Sequence, residues 1–161
     1  MKPTISALVF AGTLMLGATT AIAQYKQKNL VADAKGHAIG TDPHLINGWG
    51  LAFFPHGPFW IADEGTGVST VYGPHGKIIP LVVTIPAAPS QPLGPQGTPT
   101  GLVANATSDF VISQNGKSGP ALFIFDSEDG TISAWNPDVD GNNAVIVIDF
   151  STAKPKRPFP A

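Results

Sequence analysis

Oxygen-bearing side chains gather at two corners of this sequence that stand 51 residues apart. Asp63 and Glu64, followed by Thr66 and Gly67, lie in FWIADEGTGVST; Gln114 and Asn115, followed by Lys117 and Ser118, lie in FVISQNGKSG. Asp63 aligns with Gln114 and Glu64 with Asn115, so two carboxylates and two amides occupy matched positions. Hard donors of this kind suit Ca²⁺ or a similar cation. The same residue types also end strands, because Asp, Asn and Gly make tight turns at low steric cost. A further oxygen-rich run, NPDVDGNN at 136–143, places Asn136, Asp138 and Asp140 ahead of Gly141 with the spacing of half a calcium loop. Position twelve of such a loop would be Val147, where a bidentate Glu is needed, so a solvated hairpin turn competes with Ca²⁺ there.

Other motifs fail on spacing. Gly116-Lys117-Ser118 lacks the glycine that a phosphate loop needs five residues earlier, where Val111 stands. Gly65-Thr66-Gly67 has no third glycine and opens no βαβ unit. There is no G-x-S-x-G nucleophile elbow. His37, His44, His56 and His75 show no metal spacing; His56 and His75 fall in Pro/Gly turns, and His44 lies beside Asp42. Trp49 is expected at the mouth of an inner strand, where it could meet a ligand, while Trp60 and Trp135 read as packing residues within strands.

The elements that must position these residues repeat. WGLAFFPHGPFWIADEGTG (49–67) aligns without a gap with TGLVANATSDFVISQNGKS (100–118), and Gly50/Gly101, Leu51/Leu102, Phe59/Phe110, Ile61/Ile112 and Gly65/Gly116 are identical. Short runs rich in Val, Ile and Phe alternate with FPHGP, DEGTG and GPHGK turns, and 18 Gly and 16 Pro against little charge argue for strands over helices. The runs are Gly50–Phe54, Phe59–Ala62, Ser69–Tyr72 and Pro80–Ile85, then Gly101–Ala104, Phe110–Ser113, Ala121–Phe125, Thr131–Trp135 and Ala144–Phe150. Four antiparallel strands in a unit of about 50 residues is the period of a propeller blade, with a duplicated β-sandwich half as the alternative. The expected fold is therefore all-β: a partial β-propeller of two to two-and-a-half blades.

The chain divides accordingly. Residues 1–23 read as a signal peptide, from Lys2, an apolar stretch and the small-residue pattern Ala21-Ile22-Ala23. The apolar run falls short of the ~20 residues that a membrane span requires. Residues 24–48 form a lead-in strand, 49–86 blade one, 87–99 a Pro-rich crossover, 100–150 blade two with an extra hairpin, and 151–161 a Pro/Lys-rich tail. The formal net charge is −2, and more negative once Lys2 is removed, which gives no footprint for nucleic acid. Cysteine is absent, so an exported form would depend on its core alone.

Together NLVAD (29–33), TDPHLINGWGLAF (41–53), FWIADEGTGVSTVY (59–72), LVVTIP (81–86), SDFVIS (108–113), GKSGPALFIF (116–125) and EDGTISAWNP (128–137) resemble a group of exported bacterial β-propeller proteins. That group is similar in style to NHL-repeat propellers, and some of its members carry a C-terminal PEP-type sorting signal. The resemblance implies a parent of about six blades and supplies no reaction. The chain departs from it after Asp149, where FSTAKPKRPFPA leaves the strand pattern, so a truncated product is expected.

The functional expectation is recognition rather than catalysis: binding of an extracellular polymer, protein or small ligand by a periplasmic or extracellular protein with no membrane span after signal cleavage. The ligand face would collect Trp49, Asp63, Glu64, Gln114, Asn115 and Lys117, with Ca²⁺ as the candidate cofactor at Asn136, Asp138 and Asp140. Open blade edges invite self-association. The alternative is a fragment of a Ca²⁺-dependent propeller hydrolase of lactonase or esterase type, with Glu64 and Asn115 as ligands.

Overall fold

A computed structural model describes residues 25–90 and 96–152. The expected signal peptide, most of the C-terminal tail and the middle of the Pro-rich crossover lie outside these residues. Within them the chain is all-β. A lead-in of two short parallel strands, β1 (Val31–Ala32) and β2 (Gly40–Thr41), precedes the first sheet. That sheet is an antiparallel meander of β3 (Gly48–Ala52), β4 (Phe59–Asp63), β5 (Val68–Tyr72) and β6 (Ile78–Thr84), paired in chain order. The Pro74–Gly76 turn between β5 and β6 uses His75 at φ 60° and Gly76 at φ 81°, a left-handed pair that reverses the chain tightly.

The second sheet is formed by β7 (Pro99–Ala104), β10 (Phe123–Ser127), β11 (Thr131–Trp135) and β12 (Val145–Asp149). Between β7 and β10 the chain inserts a separate hairpin, β8 (Val111–Gln114) and β9 (Lys117–Pro120). This corrects the expected alignment. The first strands β3 and β7 do correspond at an offset of 51, but the counterpart of β4 is β10, not β8. The extra hairpin of the second unit is therefore 111–120, and Thr131–Trp135 is its regular third strand. Bulges bear this out. An extra residue, Trp49, interrupts the β3–β4 ladder between Gly48 and Gly50, and Thr100 stands in the equivalent place between Pro99 and Gly101.

The two sheets pack face to face. Ala52, Trp60, Ala62, Val71 and Val83 of the first meet Leu102, Phe123, Phe125 and Trp135 of the second in one buried cluster. Trp60 stacks on Phe123 with ring centroids 4.1 Å apart and touches Trp135 at 4.9 Å. At the inner edge the first strands lie almost in backbone contact: a Cβ on Gly50 would sit 2.7 Å from the Thr100 carbonyl oxygen and 2.9 Å from the Leu102 Cβ. At the outer edge the Thr84 amide donates to the Asn142 carbonyl (2.8 Å) and the Ala144 amide to the Thr84 carbonyl (2.9 Å). A second small cluster of Ile112, Ala121, Ala134 and Val139 fastens the inserted hairpin to the far face of the second sheet.

Trp60→Ala should cost about 3–5 kcal/mol, because it empties the middle of the inter-sheet core. Gly50→Ala should cost about 1–3 kcal/mol by forcing the first strands apart. Gly141→Ala, where an added Cβ meets nothing within 4 Å, should stay within about 0.5 kcal/mol. Denaturant unfolding of the three variants checks this ranking.

Candidate functional site

In an antiparallel meander the turns joining strands one to two and three to four leave at one end, and those joining two to three at the other. The β4–β5 turn, Glu64–Gly67, shares its end with the crossover to the second sheet: the Ile85 amide donates to the Gly67 carbonyl (3.0 Å) and the Gly97 amide to the Ile85 carbonyl (2.7 Å). The lead-in reaches the same corner. The Glu64 amide donates to the Asn47 carbonyl (3.2 Å), Asn47 Nδ2 donates to Glu64 Oε2 (2.7 Å), and Thr66 Oγ1 donates to the His44 carbonyl (2.6 Å). Asn47 holds φ 52°, a left-handed conformation that Asn tolerates better than most side chains. Beside it the bulge turns Trp49 outward, 63% exposed.

Under this surface lies a polar network. Asp63, wholly buried, accepts from the Thr70 amide (3.1 Å) and the Thr70 hydroxyl (2.7 Å) through Oδ2, while its Oδ1 has no partner. Asp42 accepts from the Tyr72 hydroxyl (3.0 Å) through Oδ2 and from the His44 amide (2.9 Å) through Oδ1, which also lies 3.2 Å from His44 Nδ1. Burial pushes the Asp63 carboxyl up to about 7; the Thr70 bonds oppose that rise, the Asp42 charge adds to it, and His44 eases it. Burial likewise raises the Tyr72 hydroxyl, helped by its bond to Asp42 and opposed by Thr70. Asp63 can thus hold a proton at neutral pH, but it has no exposed surface from which to pass it to a substrate. The exposed groups above it, Trp49 and the Asn47–Glu64 pair, offer an aromatic face beside hydrogen-bonding edges.

The second sheet repeats the backbone of this corner with different chemistry. The Glu128 amide donates to the Thr98 carbonyl (3.1 Å), matching Glu64 and Asn47. Ser127 and Ser133 take the places of Asp63 and Thr70, and their buried hydroxyls have no partner. Gln114, Asn115 and Lys117, expected at this corner, lie instead around the tip of the inserted hairpin. That tip meets the β11–β12 loop at the opposite end, where Gln114 Nε2 donates to Asp140 Oδ2 (3.3 Å). Glu64 and Asn115 therefore do not converge as a ligand pair.

Of the residues proposed for Ca²⁺, Asn136 and Asp140 are engaged in hydrogen bonds within their loop and to the neighbouring hairpin. Asn136 Oδ1 accepts from the Asp138 amide (2.7 Å) and its Nδ2 donates to the Pro120 carbonyl (2.6 Å). Asp140 Oδ1 accepts from the amides of Asn142 and Asn143, both at 3.0 Å, and those bonds hold its carboxyl below the usual range. Among the described residues no group of three or more His, Cys, Asp or Glu side chains is placed to hold a metal ion. Sequence reasoning missed Asn47 and Glu128. Asn47 stands 51 residues before Thr98, and Glu128 follows from matching DEGTGVSTVY to SEDGTISAW, whose turn is one residue shorter.

The Asp63 shift has a definite sign. The folded state binds this proton more tightly than the unfolded chain, so the contribution of Asp63 to stability is fully present below the ordinary carboxyl value of 3.8 and is lost as pH rises through about 7. At about 1.4 kcal/mol per pH unit the loss is on the order of 4 kcal/mol at most. Asp63→Asn keeps an acceptor for Thr70 and should flatten this segment of the profile, as urea titrations across that pH range would record.

Comparison with known proteins adds little chemistry. The chain is similar to two uncharacterized proteins of Acanthamoeba polyphaga mimivirus, at 31% and 30% identity over 133 residues; these stretches cover 83% of this chain in both cases, and 32% and 34% of the relatives. It spans about a third of the length of the curated relatives it matches. No family profile and no solved structure matches. These findings correct the expected membership in an exported bacterial group akin to NHL-repeat propellers: the relatives found are viral, and nothing links the chain to that group.

Proposed function

We propose that the chain is a recognition module built as two neighbouring propeller-type blades, with the β4–β5 corner as its ligand surface. The observation that carries this reading is the exposed Trp49, presented by a bulge beside the Asn47–Glu64 pair on a corner tied down by backbone bonds. Supporting it are the two four-stranded meanders with matching bulges and adjoining first strands. An aromatic side chain left out in water beside fixed polar edges suits a ligand with an apolar face and hydroxyl or amide groups along its rim, such as a polysaccharide or an extended peptide. Recognition also accords with Asp63 being sealed off, since a general acid must reach its substrate.

Trp60 and Trp135 are buried, so Trp49 should dominate acrylamide quenching of the intrinsic fluorescence. A panel of soluble oligosaccharides and peptides should contain a ligand that shields Trp49 and shifts its emission. Trp49→Ala should then weaken binding by at least about tenfold, the scale of an interfacial Trp anchor. A panel that leaves Trp49 fully quenchable, or binding that survives Trp49→Ala and Asn47→Ala, overturns the proposal. Export belongs to the same reading. Mass spectrometry of the chain recovered outside the cytoplasm of an expressing bacterium should find Gln24 at its amino terminus.

A further inference from the structure

The two sheets meet through unlike faces, and each face has a counterpart left free. The face that the second sheet turns to the first carries Leu102, Phe123, Phe125 and Trp135. By register these match Leu51, Phe59, Ile61 and Tyr72, which lie on the free face of the first sheet. Conversely, the face that the first sheet turns to the second carries Ala52, Trp60 and Val71, matching Val103, Ile124 and Ala134 on the free face of the second. The molecule thus repeats at its two outer surfaces part of the two halves of its own internal interface: Leu51, Phe59 and Ile61 on one side, Val103 and Ile124 on the other, with Tyr72 and Ala134 already buried under the lead-in and the hairpin.

Both outer surfaces remain apolar and open. Leu51 (55% exposed) and Phe59 (40%) border a groove on the first sheet; Val103 (56%) stands out on the second, with Phe110 (69%) and Val111 (61%) on the inserted hairpin segment beside it. Part of each face is covered from within the chain, by Leu30 and Leu45 on one side and by Ile112 of the hairpin and the adjoining Ala121 on the other. One residue breaks the match. Asp126 occupies the register position of Ala62, which is wholly buried in the internal interface.

We propose that copies of this chain associate head to tail, the free face of the first sheet of one copy seating on the free face of the second sheet of the next. The inference rests on the propeller-type correspondence of the two sheets. Such a contact is heterologous: it closes into a ring if the rotation allows and otherwise grows. Burying the Asp126 carboxylate opposes the contact, which places assembly at high protein concentration.

Sedimentation velocity and light scattering on the full chain over a wide concentration range test this. Leu51→Glu on one face and Val103→Glu on the other should each abolish growth, and an equimolar mixture of the two should give a 1:1 complex through the intact pair of faces. Phe59→Lys with Val111→Lys is a second such pair, with circular dichroism melts confirming that each variant folds. Asp126→Ala should tighten association by roughly tenfold, since it removes an unpaired charge from the contact. A folded monomer at every concentration, mixtures that fail to pair, or an Asp126→Ala chain no stickier than the parent overturns the proposal. Ligand protection of Trp49 is read separately, so a monomer that still binds ligand would sink self-assembly and leave the recognition reading standing.

Discussion

The architecture depends on one close approach, that of Gly50 in β3 to Thr100 and Leu102 in β7. With no side chain at 50, the two first strands touch nearly backbone to backbone. Bulk increases from Gly50 and Ala52 in the inner strand to Trp60, Phe123 and Trp135 in the middle of the interface. The graded filling leaves room for twisted sheets to lie face to face, whereas uniform side chains would pry the inner edge open. Hydrogen bonds from Thr84 to the Asn142–Ala144 segment close the outer edge. The sheets are thereby fastened at both margins and greased only between them.

The same strand positions the candidate site. A bulge adds one residue to β3, which rotates Trp49 out of the ladder and leaves Asp63 directly across from Gly48. Asp63 occupies a buried spot with only Thr70 to satisfy it, so it resists ionisation. Asp42, which keeps Tyr72 and His44 as partners, anchors the lead-in over it. In the second sheet the bulge and the corner bond persist but the acid is replaced by Ser127. The scaffold is repeated while the chemistry is confined to one copy, so whatever this corner does is a property of the first sheet alone.

Much of the strand and turn pattern was legible, because alternating Val, Ile and Phe bounded by Gly and Pro leaves little choice of local structure. Gly50/Gly101 and Leu51/Leu102 were true equivalents. Phe59/Phe110, Ile61/Ile112 and Gly65/Gly116 were not. A β-hairpin of any origin shows apolar alternation of period two followed by a turn glycine, so the inserted β8–β9 pair mimics the strand it displaces. What distinguishes it is its partner, and strand pairing is a long-range choice that no local window contains. The site suffered in the same way. Gln114 and Asn115 were carried to the wrong end with the hairpin, while the Asn47–Glu64 contact and the Asp42–Tyr72 bond join residues 17 and 30 positions apart.

The outer faces of the two sheets carry exposed apolar side chains, among them Leu51, Phe59 and Val103. An apolar sheet face open to water invites uncontrolled growth, and natural β proteins blunt such surfaces with charge or local cover. Both devices are present here. The lead-in lays Leu30 and Leu45 over one face, Ile112 of the inserted hairpin and the adjoining Ala121 cover part of the other, and Asp126 sets a carboxylate where the internal interface has Ala62. Each device costs contact area or solvation in any assembled state, and none disturbs the internal core. The hairpin that misleads the sequence alignment is thus also a shield: the insertion that breaks the repeat limits what the repeat can do when it meets itself.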